Sequence, residues 1–203
     1  YGDMKPHETF EDMARDYLVE VRKVQAHGPY LLGGFSGGGI TAHAMARQLQ
    51  AEGEEVALLV MLDTPLPTQP RLTTADRASI KLQDFRKEGL GYVNSWIRRR
   101  IEWELKKLRS RFEEQGKATS EQFHHEAIEA AFRAALPRYR IVHYPGRVAL
   151  FRPVLRVLYG LRGGRLLGKG LQFLYPDNGW TPHVGEIAVH EVPGDHDSMV
   201  LEP

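Results

Sequence analysis

The stretch Tyr30-Leu31-Leu32-Gly33-Gly34-Phe35-Ser36-Gly37-Gly38-Gly39 constrains the fold more than any other part of this chain. Pro29 to Leu32 is an apolar run that reads as a short buried strand, and Ile40 to Gln50 reads as a helix. Between them, Gly34-Phe35-Ser36-Gly37-Gly38 matches G-x-S-x-G. Strand, glycine-flanked serine and helix, in that order, make a nucleophile elbow. The serine sits on a tight turn that lifts its hydroxyl clear of the sheet, and flanking glycines let strand and helix backbones approach closely. Two readings compete: an αβ turn with an incidental serine, and a phosphate-cradling loop. The second lacks the Lys-Ser or Lys-Thr that should follow the glycines.

The flanks extend the same grammar. Thr9-Phe10-Glu11-Asp12 resembles a capping box with Asp in the Glu position, and Phe10, Met13, Tyr17, Val21 and Val24 recur behind it at helical spacing. Gly28-Pro29 stops that helix, and Gly53 stops the one after the elbow. Val56 to Leu62 is continuously apolar, as in a strand buried on both faces. Helix, strand, helix, strand predicts an α/β fold with a mostly parallel sheet. Strands are expected again at Gly146–Phe151 and, near the sheet's edge, at Ile187–Val192, with a turn at Tyr175–Trp180 and a loop at Gly194–Met199.

From Pro65 the pattern changes. A Pro-rich loop leads into a helical insertion over about residues 71–140, whose 16 Lys/Arg and 10 Asp/Glu make it more basic than the rest. Ile97, Ile101, Leu105, Leu108 and Phe112 form one apolar stripe, with Trp96, Arg100, Trp103 and Lys107 beside it. Thr119 with Gln122 opens a further helix running through Ala135.

Composition narrows the function classes. The 203 residues suffice for one substantial core, and no apolar run approaches the roughly 18 residues of a membrane span. A net charge of +1 selects no partner, and no constellation for nucleic acid or metal stands out. The absence of cysteine excludes disulfides, a thiol nucleophile and thiolate metal sites, and fits a cytoplasmic setting. Tyr1 to Pro6 is polar, without a starting Met or signal-peptide character, so a single domain truncated at its N-terminus is expected.

A serine nucleophile needs a base, and the base needs a carboxylate. His196 follows the last expected strand in a Gly-containing loop, and the order Ser, Asp, His is that of α/β-hydrolases. His43, His124, His125 and His190 are assigned no catalytic role; His43 is read as either packed or solvent-exposed. For the acid, Asp63 ends the strand after the elbow, and Asp177 is the alternative. Gly37 should supply one oxyanion-hole amide, the second being expected upstream of Tyr1.

Three segments together resemble type I thioesterase domains of polyketide synthases and nonribosomal peptide synthetases, which have the α/β-hydrolase fold. These are Gly28 to Gly39, the Asn178-Gly179-Trp180 turn, and His190 to Met199; the 27-residue step from Ser36 to Asp63 agrees. The resemblance implies an acyl chain held as a thioester on the phosphopantetheine arm of an acyl carrier protein. Ser36 would take the chain as an acyl-enzyme, and His196 would then activate water or an internal nucleophile, giving hydrolysis or cyclisation. No covalently bound cofactor is implied. Carrier protein and upstream synthase domains are the implied partners, and a homodimer is left open. Arg98, Arg99, Arg100, Lys106 and Lys107 would help dock the acidic carrier, or simply form a solvated face. A free-standing carboxylester or lipid hydrolase and a non-catalytic binding module are the alternatives. One departure is Gly37, where many relatives carry a bulkier residue.

Overall fold

The computed structural model describes residues 6–89 and 120–201. The chain divides into two compact units, one of residues 1–69, 127–156 and 174–203, the other of 70–126 and 157–173.

The first unit begins with helix α1 (Phe10–Val24), capped as its sequence predicts: the Asp12 N–H donates to Thr9 Oγ1 at 3.1 Å. Phe10, Ala14 and Leu18 form its buried face. Strand β1 (Tyr30–Phe35) leads into α2 (Gly37–Ala51), and β2 (Val56–Leu62) follows. β1 is longer than Pro29–Leu32, because the ladder continues through Gly33 and Gly34; α2 begins directly after Ser36 rather than at Ile40. After helices α3 (Thr74–Glu88) and α4 (Ser120–Ala135), β3 (Tyr144–Pro153) re-enters the sheet. Short strands β4 (Tyr159–Gly160), β5 (Leu166–Leu167) and β6 (Phe173–Leu174) precede β7 (Val184–Val192) and the single turn α5 (Ser198–Leu201).

The main sheet has the order β1-β2-β3-β7, every pair parallel. Parallel neighbours cannot be joined by hairpins, so each connection must cross over, and α2 supplies the first crossover. β7 lies at one edge of the described sheet, as its alternating sequence suggests. Leu59, Met61 and Leu150 of the central strands are fully buried, and the core continues through Tyr30, Ile40, Leu49, Tyr144 and Trp180. Complete burial of side chains this size stabilises by about 2 kcal/mol each.

The second unit contains α3, which carries a full capping box: Asp76 N–H donates to Thr73 Oγ1 and Thr73 N–H to Asp76 Oδ2. Asp76 is buried, and the Arg165 guanidinium grips it through both terminal nitrogens, at 3.1 and 2.5 Å. Bonding to Arg165, and then to Thr73, holds the Asp76 carboxyl below the usual carboxylate range. β4 and β5 form an antiparallel pair, turned by Gly163 and Gly164 in the left-handed region. Nothing in the sequence pattern indicated these two-residue strands. Among the described residues no helix is long and apolar enough to cross a membrane, and no cluster of His, Asp and Glu could hold a metal ion.

Candidate active site

The strand ends form a level row. Phe35 pairs with Leu62, Leu62 with Phe151, and Phe151 with His190. Ser36 and Asp63 are the next residues beyond it: Ser36 N–H donates to Leu62 O at 2.8 Å, and Asp63 N–H to Phe151 O at 2.7 Å. Both side chains therefore leave the sheet at its carboxyl edge, where open α/β sheets place their ligands.

Ser36 has φ 51° and ψ −122°, a backbone state rare for any residue with a Cβ. It stands at the N-cap of α2 without using its hydroxyl as a cap, so Oγ is left available at the positive end of the helix. The turn is tight because α2 starts directly against β1 and the segment after β2: a Cβ on Gly34 would lie 2.2 Å from the Gly38 carbonyl carbon, and one on Gly39 would lie 1.9 Å from Thr64 Oγ1. No described residue lies within 4 Å of a Cβ placed on Gly38, so among the described residues close approach explains Gly34 and Gly39 but not Gly38.

Asp63 and His196 meet. His196 Nδ1 is 2.7 Å from Asp63 Oδ2, and the Phe35 ring lies against the imidazole with centroids 4.8 Å apart. With its proton on Nδ1, the histidine keeps Nε2 free as an acceptor. The loop that carries it is closed on itself: Asp195 N–H donates to Ser198 Oγ at 2.8 Å, and Ser198 N–H returns to Asp195 Oδ1 at 3.0 Å. Those bonds from Ser198 lower the Asp195 carboxyl and commit it to the loop.

Asp177, the alternative acid, is committed elsewhere. Gly179 N–H donates to its Oδ1 at 2.9 Å and Thr181 N–H to its Oδ2 at 2.8 Å. Burial works to raise its pKa, but the bonds from Thr181 and Gly179 outweigh burial and leave it lowered. The next residue, Asn178, takes the position facing the site: its Nδ2 donates to Asp63 Oδ1 at 3.0 Å.

The sequence profile of the thioesterase-domain family matches residues 1–201. The chain belongs to that family. Among curated relatives, a dimodular nonribosomal peptide synthase of Bacillus subtilis (strain 168) is 60% identical to this thioesterase domain over 55 residues, 27% of the domain and 2% of the synthase. A non-reducing polyketide synthase of Pseudevernia furfuracea is 41% identical over 78 residues, 36% of the domain and 4% of that protein. The domain thus spans a few per cent of the length of these relatives. Among solved structures, the NocB thioesterase domain in covalent complex with a fluorophosphonate nocardicin G analogue is 25% identical, over 94% of this chain and 66% of that one, with a TM-score of 0.55. A four-domain nonribosomal peptide synthetase bound to AMP and glycine is 22% identical over 95% of this chain and 15% of its own, with a TM-score of 0.59, and shares the fold.

His43, on the elbow helix α2 itself, is fully buried, which decides between its two readings. Its Nδ1 bonds the Tyr139 hydroxyl at 2.7 Å, Nε2 has no hydrogen-bond partner among the described residues, and the Trp180 ring lies 5.2 Å away. Burial, with the Arg47 and His183 charges, pushes its pKa down to about 4, and burial also raises that of Tyr139. This histidine is a neutral core residue.

Sequence reasoning passed over Phe132 and Arg152, and it placed Asn178 in a turn without giving it a partner. The Phe132 ring fills the space that a side chain on Gly37 would take. Arg152, nearly fully buried, donates from Nε to Pro176 O at 2.6 Å and pairs with Glu191 at 2.9 Å. The unusual bareness of Gly37 was the available signal for Phe132, and an Asn-Gly turn facing a lone aspartate was the signal for Asn178. Arg98, Arg99, Arg100, Lys106 and Lys107 lie outside the described residues.

Proposed function

We propose that this thioesterase domain releases an acyl chain from the phosphopantetheine thioester of an acyl carrier protein, with Ser36 as nucleophile, His196 as base and Asp63 as its carboxylate partner. The observation that carries the reading is the 2.7 Å contact of His196 Nδ1 with Asp63 Oδ2, beside a strained serine on the same sheet edge. His196 Nε2 takes the Ser36 proton as Oγ attacks the thioester carbon. The oxyanion is held by the Gly37 amide at the start of α2, and the pantetheine sulfur leaves with the proton as a thiol. His196 then deprotonates water, or a hydroxyl or amine of the chain itself, which attacks the acyl-enzyme and frees an acid or a ring. Asp63 keeps the imidazole in the required tautomer and stabilises the imidazolium.

A fluorophosphonate probe tests the nucleophile. We expect stoichiometric labelling that Ser36→Ala abolishes; absent labelling, or labelling indifferent to the substitution, overturns the reading. A carrier-bound thioester should acylate Ser36 faster than a simple ester of the same acid, and equal rates would point to an ester hydrolase. Docking by Arg98, Arg99, Arg100, Lys106 and Lys107 is supported by charge alone. Reversing those charges should raise KM for the carrier-bound substrate, and little for a pantetheine thioester, in a salt-dependent way.

A further inference from the structure

The turn between β6 and β7 reaches the acid. We propose that Asn178 is a positioning residue for Asp63: its carboxamide holds Oδ1, so that Oδ2 alone is presented to His196. The inference rests on the acid role proposed for Asp63.

Four observations carry it. First, the two acceptors lie on consecutive residues, since Asn178 Nδ2 donates to Asp63 Oδ1 at 3.0 Å and to Thr64 O at 3.3 Å. One amide group therefore ties the carboxylate to its own backbone. Both partners are acceptors, which fixes the amide orientation. Second, Trp180 Nε1 donates to the same Thr64 carbonyl at 2.9 Å, and the indole is fully buried. The turn is thereby pinned to the Asp63 loop by a core anchor. Third, the turn is braced internally by both Asp177 oxygens, and from β3 by Arg152 on Pro176 O. Its amide is thus held in place before any substrate arrives. Fourth, Asn178 has φ 51°, which glycine would adopt with less strain. Glycine or asparagine would meet that backbone alone, and the asparagine amide adds the bonds to Asp63 and Thr64.

Without the amide, Asp63 is free to turn about its terminal torsion and to share either oxygen, or neither, with the imidazole. The half-buried carboxylate would also lose a donor. Like other supports of a functional ligand, the contact should be worth about tenfold in rate.

The experiment uses Asn178→Gly, which keeps the left-handed backbone and deletes only the amide, and Asn178→Asp, which sets a carboxylate against Asp63. Turnover is measured on an acyl N-acetylcysteamine thioester. The His196 Nδ1 proton is followed by its downfield NMR resonance, with thermal unfolding as the check on folding. We expect kcat to fall about tenfold in Asn178→Gly and further in Asn178→Asp, with KM within about twofold. The Nδ1 proton should exchange faster in both, at an unchanged unfolding temperature for Asn178→Gly. Unchanged kcat and an unchanged resonance in Asn178→Gly overturn the proposal, as does a loss that merely tracks unfolding. The resonance reads the Asp63–His196 pair independently of turnover. A wild-type chain that shows it but takes no fluorophosphonate therefore refutes the catalytic reading rather than the contact.

Discussion

Phe132 and Gly37 are complementary in shape: a Cβ built on Gly37 would lie 2.1 Å from Phe132 Cζ, in the middle of the ring edge. The absent side chain beside Ser36 is supplied by an aromatic ring from α4, which also packs edge-on against Phe10 at 5.1 Å. Gly37→Met should destabilise by about 2 kcal/mol through overpacking. Phe132→Ala should cost a similar amount, and the double variant less than the sum of the two. Denaturant unfolding of the four proteins measures the coupling; strict additivity would mean the two positions do not compete for one space.

Strain at Ser36 gives a second prediction. Its positive φ costs of order 1 kcal/mol, which Ser36→Gly should recover and Ser36→Ala should not. Calorimetry should place Ser36→Gly about 2–4 °C above Ser36→Ala. Neither variant should form an acyl-enzyme.

His43 makes stability depend on pH. The buried ring titrates at about 4, below the ordinary 6.5. Between those values the unfolded chain binds the proton and the folded chain does not. The contribution is therefore complete above pH 6.5 and is lost as pH falls towards 4, by up to ~3 kcal/mol. In His43→Gln, which cannot titrate, unfolding free energy should fall less between pH 7 and 4.5 than in the wild type. Parallel pH profiles would show that His43 is not held neutral.

Within the second unit, Asp76 closes the α3 cap and receives Arg165. Asp76→Ala and Arg165→Lys should both increase hydrogen exchange in α3, the lysine because a single ammonium cannot reproduce the two-nitrogen grip. The Asp76 carboxyl is lowered, so its contribution is present above the unfolded carboxylate range and is lost as pH falls from that range through the lowered folded value. Protection of the α3 amides, corrected for the intrinsic exchange rate at each pH, should then fall in acid in the wild type and change less in Asp76→Ala.

What could be read in advance follows from how local each signal is. The elbow is a contiguous pattern, and β2 is a single apolar run, so Ser36 and Asp63 could be placed from their own neighbourhoods. His196 was singled out by its place in a Gly-containing loop after the last expected strand and by chain order, and its contact with Asp63 spans 133 residues. Asn178 lies 115 residues from the carboxylate it touches, and the link exists only once a turn has put its side chain against a strand end. Phe132 answers to Gly37 through shape, which leaves no trace in spacing. The strands β4 to β6 are two residues each, too short to carry a period.

The turn at 177–180 has a consequence for anyone wishing to re-engineer the domain. Four consecutive positions there are each tied to something different: Asp177 to the loop's own amides, Asn178 to Asp63, Gly179 to a left-handed backbone, Trp180 to the core. An insertion, a deletion or a shuffled crossover inside this tetrad would disturb folding and chemistry in one step, and screening could not separate the two failures. Libraries and chimaeric junctions should therefore keep these four residues as one inherited block.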